Sequence, residues 1–193
     1  SDGRRHGEYG HTPAGRSGGA KPGVVLDGNA TSVIPSNCST ASRSKMGDEI
    51  GLVHDVHERI APADAVRLAK ELEPYHLTFL EDPVSLEQVE YIRQIKNASS
   101  IPIAEGELFN NPYEYRTLIT ERLIDYIRVH ITQVGGITPA RKLQILQSSS
   151  ACAPHGTGPG DMSPLAHAAN VHIDLVAPNF GVQEWSGIEP PNF

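Results

Sequence analysis

Cysteine is scarce in this sequence, and an excess of positive charge is missing. Among 193 residues only Cys38 and Cys152 are cysteines, far apart, which argues against a disulfide framework and a cysteine-based zinc site. The formal net charge of −7 argues against nucleic acid or an anionic membrane surface as a partner. No apolar run is long enough for a transmembrane helix, so none is expected. Without a signal-peptide core at the N-terminal end, a reducing, cytoplasmic location is the expectation.

Regular patterning is also missing from the first part of the chain. Residues 1–48 are rich in Gly, Ser, Pro and Arg, and they follow neither a helical nor a strand period. Two interpretations stay open, a disordered tail and a long active-site loop, of which the tail is the simpler. Residues 49–193 follow a regular pattern except at 147–153, which lack the apolar character of a strand, and a chain of this length favours one globular domain.

From residue 50 onward, apolar strands alternate with amphipathic helices, which predicts βαβ units and a parallel sheet. Strands are predicted near residues 51, 77, 101, 124, 149 and 181, with Val182–Trp185 as the last. Helix starts are predicted at the following positions: Pro62, Ser85 with Gln88 as a capping box, Asn111–Pro112, Thr138–Pro139 and Ser163–Pro164. A closed parallel barrel has about eight strands, so the prediction is an incomplete α/β barrel of the TIM type. Open sheet edges favour association, so a homo-oligomer is one expectation.

Three acidic residues follow predicted strands at equal intervals. Asp55 lies 26 residues before Glu81, and Glu81 lies 26 residues before Glu107. Because neighbouring parallel strands are about 4.8 Å apart, carboxylates at adjacent strand ends converge, and such a cluster needs a cation. Oxygen ligands favour a hard cation, and Mg²⁺ is the prediction. Any one of these acids alone could instead be a helix-start residue that interacts with the helix dipole.

Further polar residues are predicted at the same edge of the sheet. His57 lies two residues beyond Asp55 on an extended segment, hence on the same side, which predicts a general acid or base beside the metal. Arg128 follows a predicted strand and could hold a substrate carboxylate, although an ion pair with a neighbouring acid is an equal alternative. Glu184, near the last predicted strand, could bind substrate hydroxyls or orient an acid.

A series of motifs resembles one known group of enzymes. They are, in chain order, HDVHER, LEDPV, AEGELFN, LIDYIR, QVGGITPARK, GPGDMSP and APNFGVQEW. Residues 47–193 thereby resemble the mannonate dehydratase group, in the mandelate racemase branch of the enolase superfamily. The resemblance implies a capping domain, a (β/α)₇β barrel and one Mg²⁺. It also implies dehydration of a sugar acid, D-mannonate or D-gluconate in type, to a 2-keto-3-deoxy sugar acid through an enediolate.

The resemblance also implies residue roles. Asp55, Glu81 and Glu107 match the metal ligands, and His57 matches the general acid that assists departure of hydroxide. The positions that match substrate-binding residues are Arg128, Asp161 and Glu184. Glu8–Tyr9–Gly10 resembles the loop with a catalytic tyrosine that acts with an arginine as base. This match implies Tyr9 in that role and residues 1–48 as a remnant of the active-site loop.

The sequence departs from the family pattern in ways that leave alternatives open. The capping domain, the first barrel strands and the arginine partner of Tyr9 have no counterpart. The histidine of the family's HGPxD motif falls on Thr157, so either His155 replaces it or the position is lost. A non-catalytic remnant that binds a metal or a partner is therefore the second hypothesis. An epimerase or racemase is less favoured, because no lysine lies at a recognisable strand end.

Overall fold

A computed structural model describes residues 39–45, 47–148, 153–156 and 162–185, with the backbone alone at residues 147–148 and 153–156. Strands and helices alternate along this part of the chain. The strands are β1 (Val53–Asp55), β2 (Phe79–Glu81), β3 (Ile103–Glu105), β4 (Tyr126–Val129) and β5 (Ala153–Gly156). The helices are α1 (Pro62–Leu72), α2 (Val89–Ala98), α3 (Pro112–Thr120), α4 (Ile137–Ser148) and α5 (Pro164–Asp174). A 3₁₀ turn, Glu73–Tyr75, follows α1.

The strands form one five-stranded parallel sheet in the order β1-β2-β3-β4-β5. Each strand pairs with the strand that precedes it in the chain, and a helix lies in each connection, as in successive units of a TIM-type barrel. The structure thus confirms the predicted α/β fold of a partial barrel. Within the described residues the sheet is open, with β1 and β5 at its edges. The first four strands each begin two residues later than predicted.

Local sequence explains where several helices begin. Pro62 occupies the first turn of α1, where a missing N–H costs no hydrogen bond. In α3, the Asn111 side chain accepts from the backbone N–H of Tyr113, and the Glu114 side chain completes a capping box. In α5, the Ser163 side chain accepts from the backbone N–H of Ala166. These helix starts agree with the sequence-based prediction.

The capping box predicted at Ser85 and Gln88 is wrong. Helix α2 begins at Val89, and Gln88 stands at its N-cap without a side-chain hydrogen bond. The backbone N–H of Gln88 donates to the carbonyl of Ser85 at 2.8 Å, which makes a turn ahead of the helix. Val84 and Leu86 flank Ser85 and are both buried. Burial of these two side chains determines the chain path here and overrides the local capping signature.

Two further elements differ from expectation. The strand predicted at Val182–Trp185 is absent, because residues 181–185 have only an isolated bridge at Gln183. Residues 39–45, within the segment expected to be irregular, are helical. Arg43 holds this helical segment on the end of α1, since its guanidinium donates to the backbone carbonyls of Tyr75 and His76. The remaining described residues before Leu52 lie outside regular structure.

The apolar core lies between the sheet and the helices. Strand residues such as Leu80, Ile103 and Ile127 share one buried cluster with helix residues such as Leu68 and Leu118. Val53 of β1 is 55% exposed, in keeping with its place on an edge strand. None of the helices in the described ranges is both long and apolar enough to cross a membrane.

Candidate metal centre

Acidic side chains collect at the carboxyl ends of the first three strands. Asp55 is the last residue of β1 and Glu81 the last residue of β2, and the register of the sheet pairs these two directly. Glu105 ends β3, and Glu107 follows two residues later. The parallel topology therefore brings acids that are distant in sequence to one edge of the sheet.

Potential ligand atoms at this edge form two overlapping groups. Atoms of Asp55, His57 and Asp82 lie within 4.8 Å of one another, and so do carboxylate oxygens of Glu81, Asp82 and Glu107. The predicted ligands Glu81 and Glu107 thus share one group, and Asp55 belongs to the other. Asp82 is common to both and was not predicted as a ligand. Its backbone φ of 41° ends the extended strand, which a sequence pattern does not reveal.

His57 lies between two of the predicted ligands. Its Nδ1 is 3.2 Å from Asp55 Oδ2 and 3.5 Å from Glu107 Oε1. The hydrogen bond to Asp55 raises the pKa of His57 to about 9, although partial burial opposes that shift. The imidazole is therefore protonated at neutral pH in the metal-free protein, as a general acid must be. The His57 backbone has a left-handed φ of 55°, so the strand has ended before this residue.

Arg128 connects two acids at this edge of the sheet. Its side chain is only 3% exposed, its Nε donates to Glu81 Oε1 at 2.5 Å, and its Nη2 donates to Glu184 Oε2 at 2.6 Å. The guanidinium carbon lies 5.8 Å from the ring centre of Phe79. Of the two alternatives for Arg128, the ion pair is what the structure contains. A contact with a substrate carboxylate stays a prediction.

Asp82, which belongs to both groups, forms a buried carboxyl pair with Glu105. Burial raises the pKa of both well above the usual range, and their mutual repulsion adds to it for Glu105. The two side chains are hydrogen-bonded to each other, which requires that one of them carry a proton. The sequence placed both residues at the ends of predicted strands, but no role in the site was predicted for either. The sequence signal that could have found them is a second acidic residue beside a predicted ligand, since LEDPV and AEGEL each contain two acids.

The donor set fits a hard divalent cation. Burial raises the pKa of Glu81 to about 7 and also raises the pKa of Glu107, against the opposing charges of Arg128 and His57. Glu105 Oε1 is buried without a hydrogen-bond partner in the part of the chain that the structure describes. Carboxylates that lie this close together and are partly buried repel each other, and a cation among them would remove that repulsion.

Several predicted site residues lie outside the described residues. Tyr9, Thr157 and Asp161 are among them. The backbone of His155 belongs to β5 and pairs in register with Arg128, while its side chain falls outside the description. The roles assigned to these residues therefore stay predictions.

Comparison with known proteins identifies the family. The enolase C-terminal domain-like family matches residues 37–192 of this chain. The chain belongs to that family. Membership confirms the resemblance to the enolase superfamily read from the motifs, and a TIM-type barrel is the fold of this family.

Relatives of this chain are named as members of the D-galactonate dehydratase family. A D-galactonate dehydratase family member from Pantoea ananatis is 46% identical over 165 residues, which cover 86% of this chain and 40% of that relative. Another, from Musicola paradisiaca, is 45% identical over 165 residues, with the same coverage of both chains. The chain therefore spans about two fifths of the length of these relatives.

Solved structures of the superfamily superimpose on the chain. A crystal structure of an enolase from Pantoea ananatis, with bound D-gluconate and Mg, matches with a TM-score of 0.82 and 45% sequence identity. That match covers 88% of this chain and 41% of the other. A mandelate racemase/muconate lactonizing enzyme-like protein from Rubrobacter xylanophilus matches with a TM-score of 0.76 and 25% identity, over 84% of this chain and 41% of that one.

Proposed function

We propose that this chain carries the metal-binding part of a Mg²⁺-dependent sugar-acid dehydratase. The observation that supports this most is the meeting of Asp55, Glu81, Glu107 and His57 at one edge of a parallel sheet. The names of the relatives and the bound D-gluconate and Mg of a structural neighbour point the same way. A D-gluconate or D-mannonate type of acid is the proposed substrate class. The expected product is a 2-keto-3-deoxy acid.

Asp55, Glu81 and Glu107 are the proposed ligands of the ion. Asp82 lies as near to the other carboxylates, but the family motifs match the ligand role to Asp55, Glu81 and Glu107 and not to Asp82. Once bound, Mg²⁺ would polarise the carboxylate of the substrate and make its α-proton more acidic.

His57 is the proposed general acid. Dehydration transfers the α-proton of the substrate to a base and expels the β-hydroxyl, which takes a proton from an acid and leaves as water, so that the net loss is one molecule of water. The hydroxyl needs a proton to depart, and His57 carries one at neutral pH because of its hydrogen bond to Asp55. Tyr9 stays the proposed catalytic tyrosine, which would act with an arginine as the base that removes the α-proton.

Arg128 and Glu184 are proposed to bind the substrate, and Arg128 also orients a ligand of the metal. Arg128 already holds the Glu81 carboxylate at 2.5 Å, so one function of the arginine is to orient a metal ligand. The Glu184 side chain is 42% exposed and so accessible to a polar ligand. His155 and Asp161 complete the proposed substrate-binding positions.

A metal-binding remnant without turnover is the second candidate. It is favoured by Thr157, which stands where the family motif has a histidine. In this case the acidic cluster would bind Mg²⁺, but no 2-keto-3-deoxy acid would form. The two candidates therefore differ in turnover and agree in metal binding.

Turnover is tested with purified protein, Mg²⁺, and D-gluconate or D-mannonate, by assay of 2-keto-3-deoxy acid. We expect product from the unaltered chain and a loss of about 100-fold or more in His57→Asn, with Mg²⁺ affinity retained. His76→Asn is the matched control, because His76 is exposed and lies on the connection between α1 and β2. An active His57→Asn protein would contradict the assigned role. Folded chain that binds Mg²⁺ but forms no product would favour the remnant.

The metal assignment is tested separately by calorimetric Mg²⁺ titration. Glu81→Gln removes one negative charge from the cluster, and we expect affinity to fall by about 10-fold or more. Glu87→Gln is the control, since Glu87 is exposed and follows the same strand. Equal affinity in Glu81→Gln and unaltered protein would refute the assignment of Glu81.

A further inference from the structure

We infer that His167 on α5 is a positioning residue for the metal centre. The imidazole contacts Trp185, this contact places Glu184 on Arg128, and Arg128 in turn orients Glu81. The inference rests on the proposed Mg²⁺ site. It adds a control element that lies outside the set of ligands and substrate-binding positions.

His167 is buried, and its imidazole ring packs against the indole ring of Trp185. Its side chain is 6% exposed, and its ring centre lies 4.6 Å from that of Trp185 with an interplanar angle of 49°. Its Nδ1 is buried and has no hydrogen-bond partner among the residues that the structure describes. A buried imidazole with an unused nitrogen is expensive to keep in a core. We therefore assign the role of His167 to its ring contact with Trp185.

Helix α5 is anchored to the strand that carries Arg128. The Asn170 side chain, one turn after His167, donates to the backbone carbonyl of Val129 at 3.3 Å. The side chain of Gln144 on α4 donates to the carbonyl of Ile173 in α5 at 2.9 Å. His167 therefore sits on a helix whose position relative to Arg128 is fixed from two sides.

The segment that Trp185 belongs to has little regular structure within the described residues. Residues 181–185 have only an isolated bridge, at Gln183. The ion pair between Glu184 and Arg128 is 2.6 Å long, but the Glu184 side chain is 42% exposed, and partly exposed ion pairs contribute little stability alone. Because Trp185 directly follows Glu184, an aromatic contact at Trp185 limits where the Glu184 carboxylate can go.

Glu81 and Glu184 both accept hydrogen bonds from the Arg128 guanidinium. With Glu184 in place, Arg128 shares its charge between Glu184 and Glu81. If Glu184 moved away, more of the guanidinium charge would act on Glu81 and compete more strongly with a cation for that carboxylate. Loss of the His167 contact should therefore weaken Mg²⁺ binding by about 3- to 10-fold, the range below that of residues that touch a ligand directly.

Trp185 is the only tryptophan of the chain, so tryptophan fluorescence reports on the surroundings of this residue. The experiment uses the full chain and compares Trp185 emission and calorimetric Mg²⁺ affinity in His167→Ala, His167→Phe and His172→Ala. His172 lies on the same helix but is exposed, which makes it the matched control. We expect an altered emission and weaker Mg²⁺ binding in His167→Ala. His167→Phe keeps a ring at this position and should restore both, while His172→Ala should match the unaltered protein.

Trp185→Ala tests the same path from its exposed end, since the Trp185 side chain is 60% exposed and its removal leaves the core filled. It should weaken Mg²⁺ binding as His167→Ala does. Unchanged Mg²⁺ affinity in Trp185→Ala would overturn the inference, even if His167→Ala failed to fold. Absence of Mg²⁺ binding by unaltered protein would instead refute the proposed metal site and this inference together, so the two failures are distinguishable.

Discussion

At the scale of single residues, backbone angles decide where the acids of the site point. The residues that sequence periodicity identified, Asp55 and Glu81, end their strands and pair in register. Asp82 and Glu105 were missed, because alternation along a strand does not show that Asp82 adopts a φ of 41°. A pattern of residue types can therefore predict which strand ends carry acids. It cannot predict which neighbouring acids become buried with them.

Gly106 makes the turn between the acids Glu105 and Glu107. Its φ is 129°, and a Cβ there would lie 2.6 Å from the ring of Phe109 and 3.1 Å from the carbonyl oxygen of Arg128. Gly106→Ala should lower the free energy of unfolding by about 3 kcal/mol, through backbone strain and a clash with buried groups. Chemical denaturation measures this change.

Gly135→Ala is the control for strain alone. Gly135 has a φ of 97°, but its nearest neighbour to a new Cβ is Pro139 Cγ at 3.5 Å, an ordinary contact. We expect a loss of about 1 kcal/mol. Equal losses at Gly106 and Gly135 would show that the close approach at Gly106 has no energetic consequence.

Asp174 makes stability depend on pH. It is 9% exposed, its Oδ2 has no hydrogen-bond partner among the described residues, and burial raises its pKa from 3.8 to about 7 while Arg128 opposes the shift. Between these two values the folded state binds more protons than the unfolded state, so this group's contribution to stability falls as pH rises. The contribution is complete below the lower value and is lost as pH rises through the higher one.

Asp174→Asn replaces the carboxyl group by a neutral group of the same shape. At pH 8 the variant should be more stable than the unaltered protein by about 2 kcal/mol, and the difference should shrink toward pH 4. Urea denaturation at a series of pH values measures the trend. A difference that is constant across this range would show that Asp174 ionises normally in the folded protein.

At the scale of elements, capping chemistry was predictable where a proline or a complete box marks the helix start. Pro62, Asn111–Pro112 and Ser163–Pro164 all open helices as expected. The capping box predicted at Ser85 is wrong because Leu86 is buried and its segment forms a turn before the helix begins. The strand predicted at Val182–Trp185 is also wrong, and here too tertiary contacts override the local pattern. There Glu184 and Trp185 are placed by side-chain contacts with Arg128 and His167, and apolar alternation says nothing about such contacts.

The capping box of α3 offers a test at this scale. Asn111→Ala removes the acceptor for the Tyr113 N–H and should reduce the free energy of unfolding by about 1 kcal/mol. Asn111→Ser keeps an acceptor at the cap and should recover most of that loss. Thermal or chemical unfolding of the two variants distinguishes them. Equal stability of Asn111→Ala and the unaltered chain would mean that Pro112 and tertiary packing alone define this helix start.

At the scale of the whole molecule, the spacing of repeated strand–helix units was the most informative signal. Equal intervals between Asp55, Glu81 and Glu107 indicated successive units of a parallel barrel, and the observed strand order agrees. The spacing could not show how the three carboxylates divide between two overlapping groups, because that depends on side-chain torsions and on Asp82. Within the described residues the sheet stays open at β1, where Val53 is exposed.

The central claim is that Asp55, Glu81 and Glu107 enclose one divalent ion. A crystal structure of the chain soaked with Mn²⁺, used as an anomalous scatterer in place of Mg²⁺, tests it most directly. The account predicts one strong anomalous peak within ligand distance of oxygens from all three carboxylates, at about 2.0–2.2 Å. A peak held by Asp82 and Glu105 instead, or no peak at the carboxyl ends of β1 to β3, would contradict it.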